Sequence, residues 1–150
     1  MKKDYFEIIV KTFFGFEDLL LRELEELEAK EIQKITRAIS CKGDLSLIYK
    51  INYFSRTAVK VLMPLYQFEV KNEVQLYAGI SQIEWADYMT VKDSFFVESV
   101  INSEYFNHSR FVSQKTKDGI VDYFKKKENR RPDVDLNNPD IKINVHISGN

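Results

Sequence analysis

The pattern of apolar and polar positions divides the chain into short alternating elements. Between Tyr5 and Lys11, Phe6, Ile8 and Val10 recur with the period of two that marks a strand. After Gly15 the spacing changes. Phe16, Leu20, Leu24 and Leu27 recur at helical intervals, and Glu17 and Asp18 lie in the first turn, where the helix dipole favours acids. Glu31 to Ile39 and Ser40 to Lys42 predict two short strands, with Lys42-Gly43-Asp44 as a turn signal. Asp44 is placed to cap a second helix running to Ser55, with Leu45, Ile48, Ile51 and Tyr53 or Phe54 inward. Thr57 to Val70 predicts a long strand. Its alternation, Val59, Val61, Met63, changes phase after Pro64 to Tyr66, Phe68 and Val70. A proline inside a strand marks an edge or a bulge, so one sheet is expected to hand over to the next here.

The order so far is strand, helix, strand, strand, helix, strand, the split βαβ or ferredoxin-like pattern. Beyond Val70, Asn72 is placed to cap a helix through Ile83 that leads to Trp85, and Ser94 to Ile101 predicts a strand. A long helix follows, for which Ser109 is the predicted cap. Val112, Thr116, Gly119, Ile120, Tyr123 and Phe124 fall on one side of it and predict its core face, with Arg110, Gln114 and Lys117 in a stripe beside them. Lys125, Lys126 and Lys127 suit the negative end of the dipole. Arg130, Arg131, Pro132 and Pro139 mark the exit from the helix. Ile141, Ile143, Val145 and Ile147 then alternate with Lys142, Asn144, His146 and Ser148, a half-buried strand. Ser148-Gly149-Asn150 reads as a hairpin turn, so a returning partner strand is expected after it.

Charge changes this picture locally. The chain as a whole stands at −1. Asn107 to Arg131, however, holds Lys or Arg at 110, 115, 117, 125, 126, 127, 130 and 131 against Asp118, Asp122 and Glu128, a balance of +5. Such a run is ordinarily a solvated face. A helix start beside a cationic surface also suits phosphate oxygens.

Other chemistry is excluded. The five glycines, at 15, 43, 79, 119 and 149, are too far apart for a GxGxxG or Walker loop. His108, His146 and the single Cys41 are scattered and predict no metal site. Cys41 lies in a strand-like stretch and reads as a small buried residue. Met1-Lys2-Lys3-Asp4 opens no signal-peptide apolar core, and no apolar run approaches the roughly 20 residues of a membrane span. The single Cys41 cannot form an internal disulfide, so a cytoplasmic protein is expected. Asn138-Pro139-Asp140 lacks the second proline and the aromatic residue of an Asn-Pro-Pro-Tyr loop and reads as a turn.

An ordered set of short blocks carries a resemblance. These are FGFEDLL at 14–20, KGD at 42–44, MPL at 63–65, QLYAGI with IEW between 75 and 85, KDGIVD at 117–122, RPDVD at 131–135 and PDIKINV at 139–145. In this order they resemble the N-terminal part of THUMP-containing methyltransferases that act on guanine N2 of large-subunit ribosomal RNA. The resemblance implies an α+β chain: a ferredoxin-like βαββαβ domain at 1–69 and an α/β THUMP domain at 70–150 lacking its last strand. It also implies a separate catalytic domain, absent from this chain, that binds S-adenosylmethionine. The chain itself is expected to hold no catalytic residue, cofactor or metal, and to bind structured, ribosomal RNA. The RNA-facing positions implied are Ser109, Arg110, Lys115, Lys117, Arg130 and Arg131. Alternatives are the THUMP module of another RNA-modifying enzyme, such as a tRNA thiolation protein, or an interaction domain whose basic face is only solvated. The IEW and RPDVD blocks speak against the thiolation reading.

Overall fold

The computed structural model describes residues 5–149. The readings of Met1–Asp4 and of Asn150 lie outside the described residues. The chain forms two compact units, Met1–Gln67 and Phe68–Asn150.

The first unit runs β1 (Phe6–Lys11), α1 (Glu17–Glu26), β2 (Lys30–Ile35), β3 (Ala38–Gly43), α2 (Leu45–Phe54) and β4 (Lys60–Leu62). Its sheet has the order β2-β3-β1-β4, with β1 antiparallel to both β3 and β4. That is the ferredoxin-like arrangement. Ile8 faces Cys41 and Val10 faces Ile39, so one face of the sheet is apolar. Leu20 and Leu24 of α1 and Leu47 and Ile51 of α2 close over it. Cys41 is 1% exposed, and burial pushes its thiol up to about 11.

Two glutamates of α1 pin the loops of this unit. Glu17 accepts from the N–H of Gly15 at 2.7 Å and from the N–H of Arg37 at 3.0 Å. Its own backbone N–H lowers the carboxyl's pKa most; burial opposes this, and the Arg37 and Gly15 N–H groups add to the lowering. Glu23 accepts from the Ser55 hydroxyl, from Thr57 Oγ1 at 2.9 Å and from the Arg56 N–H at 3.1 Å. Burial raises the pKa of this carboxyl, and the hydrogen bonds outweigh burial and hold it below its ordinary value.

Several sequence expectations need correction here. The turn between β2 and β3 falls at Thr36–Arg37, not between Ile39 and Ser40, because Glu17 holds Arg37 in a left-handed conformation (φ 57). Lys42-Gly43-Asp44 is the end of β3 and the cap of α2, where Asp44 accepts from the Leu47 N–H at 3.0 Å. Leu47, not Leu45, faces inward. A Cβ on Gly43 would meet Leu47 Cδ2 at 2.2 Å, so the missing side chain of Gly43 is the space Leu47 fills. Leu45, Tyr53 and Phe54 are therefore exposed, and Phe16 is exposed too. The strand expected over Thr57–Val70 is only Lys60–Leu62, since its pairing with β1 stops before Met63 and Pro64.

The second unit runs α3 (Glu73–Ser81), a short 3-10 turn (Trp85–Asp87), β5 (Phe95–Ser103), α4 (Ser109–Glu128) and β6 (Ile141–Gly149). Asn72 caps α3 through the Gln75 N–H at 2.9 Å. β5 and β6 pair in parallel from Phe95–Ile141 to Ser103–Gly149. Ser148 and Gly149 thus continue the strand opposite Asn102 and Ser103 instead of turning. Val112, Thr116, Gly119, Ile120 and Phe124 are buried as expected, and Tyr123 is half-buried with its hydroxyl on Glu84. Trp85 is buried and donates through Nε1 to the Ile80 carbonyl at 2.9 Å. Among the described residues, no helix is long and apolar enough to cross a membrane.

Gly119 explains how closely α3 and α4 pack. A Cβ there would lie 2.8 Å from Ile80 Cγ2. Gly119→Ala gains about 1 kcal/mol of helix propensity but overpacks this contact at a cost of roughly 1–3 kcal/mol. Urea denaturation should find the variant less stable by about 1 kcal/mol. Glu23→Gln should cost about 1–2 kcal/mol at neutral pH, as the carboxylate's hydrogen bonds weaken. A depressed folded-state pKa gives stability above the unfolded value near 4.5 that is lost as pH falls through the folded one. The gap between unaltered chain and variant should therefore narrow in urea melts below pH 4.5.

Candidate functional site

The basic residues sit on the connection between two parallel strands. Such a pair cannot be joined by a tight turn and needs a crossover, here α4 and the loop 129–140. α4 begins at Ser109, with His108 as the flanking residue and no side-chain cap. This corrects the capping role expected of Ser109. Its carbonyl instead accepts from the Ser99 hydroxyl of β5, which also meets Ser113 Oγ at 2.8 Å. Arg110 is exposed beside the helix start.

The middle of α4 separates the two expected lysines. At 100° per residue, Lys115 and Lys117 lie roughly 160° apart. Lys115 Nζ is 3.7 Å from Glu73 of α3 and 5.7 Å from the centre of the Phe111 ring. Lys117 Nζ is 3.0 Å from Asp118, and Gln114 donates to the same carboxylate at 3.4 Å. Pairs at the surface, with the two lysines half-buried, are weak, so they reduce but do not abolish the availability of these cations.

The far end of α4 is held firmly. Asn129, left-handed at φ 52, closes the helix by donating to the Lys125 carbonyl at 3.1 Å. Arg130 and Arg131 follow, both exposed, and then Pro132, which is buried. The next residues lie along β5. The Phe95 N–H donates to Asp133 O at 2.9 Å, the Asp135 N–H donates to Phe95 O at 3.1 Å, and Val134 forms a parallel bridge to Phe95. Asp135 accepts from the Asn138 and Asn137 N–H groups, which, Asn138 first, hold its carboxyl below the usual range. Asp140 accepts from the Ser94 N–H at 2.8 Å, so the Asn138-Pro139-Asp140 segment is a fastened turn. Lys125 and Lys126 are exposed beside the two arginines. Lys127 instead binds Glu84 and the Tyr123 hydroxyl, and these contacts, Glu84 first, raise its pKa.

The six expected residues therefore do not form one cluster. Ser109 and Arg110 mark one end of α4, Arg130 and Arg131 the other, about 30 Å away at 1.5 Å per residue. Lys117 lies between them on the Arg110 side, and Lys115 turns to α3. Among the described residues, Arg110, Arg130 and Arg131 have no ion-pair partner. Sequence reading missed Lys125 and Lys126 as members of the Arg130–Arg131 end; their adjacency in the chain was the available signal. Among the described residues, no group of His, Cys, Asp or Glu is arranged to hold a metal ion.

Comparison with known proteins agrees with this architecture. Residues 7–62 match the RlmL ferredoxin-like domain and residues 70–150 match the THUMP domain. The ribosomal RNA large subunit methyltransferase K/L of Syntrophotalea carbinolica is 38% identical over 89% of this chain and 19% of its own length. That of Cellvibrio japonicus is 34% identical over 91% of this chain and 18% of its own. The chain thus spans about a fifth of the length of these relatives. Among solved structures, SMU.472 in complex with SAH matches at TM-score 0.84 and 22% identity, over 98% of this chain and 39% of that one. A 4-thiouridine synthetase–RNA complex with bound ATP matches at TM-score 0.57 and 16% identity, over 93% of this chain and 38% of that one, a likeness of fold alone. With its THUMP match covering residues 70–150, more than half of its length, this chain belongs to the THUMP-domain family, here joined to a ferredoxin-like domain.

Proposed function

We propose that this chain is the RNA-binding part of an S-adenosylmethionine-dependent methyltransferase acting on guanine N2 of 23S ribosomal RNA. It presents structured RNA to a catalytic domain outside this segment, and it works in the cytoplasm, where ribosomes are. The observation that carries the reading is the crossover of the THUMP unit, which displays Arg110 at one end and Arg130 and Arg131 at the other, without acidic partners among the described residues. The names of the relatives at 38% and 34% identity support ribosomal RNA as the substrate class. Arginine's planar fork suits phosphate oxygens, and two anchors about 30 Å apart suit a folded RNA better than a short strand. Membership of a tRNA thiolation enzyme remains the second reading; it rests on the fold likeness to the 4-thiouridine synthetase complex. Guanine N2 as the methylated atom rests on the ordered blocks from FGFEDLL to PDIKINV.

Cofactor chemistry belongs to the other domain in this proposal. This chain's glycines, at 15, 43, 79, 119 and 149, build no loop for a nucleotide-like ligand. Calorimetric titration of the 150-residue chain with S-adenosylmethionine should give no heat of binding. A micromolar dissociation constant would contradict this assignment.

Phosphate contacts release counterions, so RNA affinity should fall steeply with salt. Arg110→Ala/Arg131→Ala should weaken binding to a structured ribosomal RNA fragment and lower the slope of log K against log salt by about 2. Lys115→Ala, on the flank facing α3, should change the slope by well under about 1. Anisotropy titrations across a salt series measure both. Identical slopes for unaltered chain and double variant would favour the solvated-face alternative.

A further inference from the structure

α2 carries a second surface that the α4 patch does not use. Its core side is taken by Leu47 and Ile51. On the opposite side Leu45, Tyr49 and Tyr53 follow one another at four-residue steps, on one stripe. They are 56%, 72% and 83% exposed. Two neighbouring rings so far in solvent add nothing to the core. Among the described residues, neither tyrosine hydroxyl has a hydrogen-bond partner. Tyr53 is nevertheless oriented. It packs edge to face on Phe54, with ring centres 4.9 Å apart and planes at 78°.

Beyond its capping Asp44, whose carboxylate accepts from the Leu47 N–H, the helix and the chain that follows it carry charge of one sign. From Leu45 to Phe68 there is no Asp or Glu, in a chain that holds 23 acids, while Lys50, Arg56 and Lys60 all fall in that stretch. Lys50 lies beside Tyr53 on the helix surface, and Arg56 follows the helix end. Glu23 reaches this end from α1, but its carboxylate is turned onto Ser55, Arg56 N–H and Thr57. Exposed flat rings with cations beside them, and with the two nearby acids, Asp44 and Glu23, each accepting hydrogen bonds, complement a polyanion with exposed flat bases.

We infer that the outward face of α2 is a stacking surface for unpaired bases of RNA, with Tyr49 and Tyr53 as the platforms and Lys50 and Arg56 on the flanking phosphates. Two rings about 5–6 Å apart at their Cβ atoms serve adjacent nucleotides of one strand. Paired regions have their bases already stacked, so this face selects loops, bulges and single strands. The inference rests on the reading of the chain as an RNA binder, but it uses a different unit and a different kind of contact.

The test uses the 150-residue chain with a labelled single-stranded RNA of about 12 nucleotides and a duplex of equal phosphate number. Tyr49→Ala/Tyr53→Ala should weaken single-strand binding by about tenfold or more per ring, with duplex binding unchanged. The salt slope should stay the same, since no phosphate contact is removed. Tyr49→Phe/Tyr53→Phe should retain single-strand affinity, because the ring and not the hydroxyl does the stacking. Equal single-strand affinity of the Ala variant and the unaltered chain overturns the inference and leaves the face to a protein partner. Loss of affinity in the Phe variant also overturns it. Failure of the Arg110 and Arg131 variants to alter the salt slope, with the tyrosine effect intact, would refute the α4 patch alone. Circular dichroism and melting curves should be unchanged for both tyrosine variants, since the side chains lie in solvent.

Discussion

The parallel pairing of β5 with β6 sets the form of the second unit. Parallel neighbours cannot be joined by a hairpin, so about a dozen or more residues must cross over the sheet face. The chain meets this demand with α4 and the loop 129–140. α4 packs against both β5 and α3, burying Val112, Thr116, Ile120 and Phe124, and the other side is left to solvent. The loop must return to the start of β6 beside the start of β5. It does so by laying Asp133, Val134 and Asp135 along Phe95 and fastening Asp140 to Ser94. The exposed cations between the buried Phe124 and the buried Pro132, Lys125, Lys126, Arg130 and Arg131, are thereby held at one end of the crossover. The basic end of the crossover follows from topology as much as from its residue types.

The first unit solves a different problem with fewer resources. Its loops contain few turn-forming residues, and Thr36-Arg37 is a poor hairpin turn by composition. Glu17 and Glu23 compensate. Each carboxylate gathers donors from segments far away in sequence, so that α1 organises the β2–β3 turn and the α2–β4 loop together. Charged acceptors serving several donors are stronger than neutral ones, which suits the job of holding irregular backbone.

Much of this was legible in the chain. Asp44 and Asn72 cap helices because a short acceptor before a periodic apolar run has few other uses. The core side of α4 was legible because twenty residues give the 3.6 period enough repeats to be read. The shorter α2 was legible only in part: Ile48 and Ile51 do face the core, while Leu45, Tyr53 and Phe54 do not. Its inward side is decided by the empty space over Gly43, a tertiary fact, and Leu45 and Leu47 are equally apolar. Missing the inward place of Leu47 hid Tyr49 and Tyr53 as an outward stripe. The hairpin at Thr36-Arg37 was illegible because its support, Glu17, lies 20 residues away. In the candidate site, the separation of Lys115 from Lys117 was available from helical geometry, whereas the pairing of Lys127 with Glu84 and not with solvent was not.

A net charge of −1 would argue against an RNA partner if charge acted as a sum. It does not, because salt screens exposed charges beyond a Debye length of about 8 Å at physiological ionic strength. What an approaching phosphate meets is the local balance. Here the segregation along the chain is strong. Glu17 to Glu31 holds seven acids (17, 18, 23, 25, 26, 28, 31) against Arg22 and Lys30, a balance of −5, while Asn107 to Arg131 stands at +5. Two of the acids in the negative segment, Glu17 and Glu23, are already engaged by backbone N–H groups and present less of their charge to solvent. The acid-free stretch from Leu45 to Phe68 adds Lys50, Arg56 and Lys60. A near-neutral total therefore hides an acidic helix and two cationic stretches, and each surface has to be judged by its own neighbours. For the crossover those neighbours are arginines with no ion-pair partner among the described residues; for α2 they are tyrosines, whose exposed rings would add, in the stacking role inferred for them, a means of sensing whether bases are free.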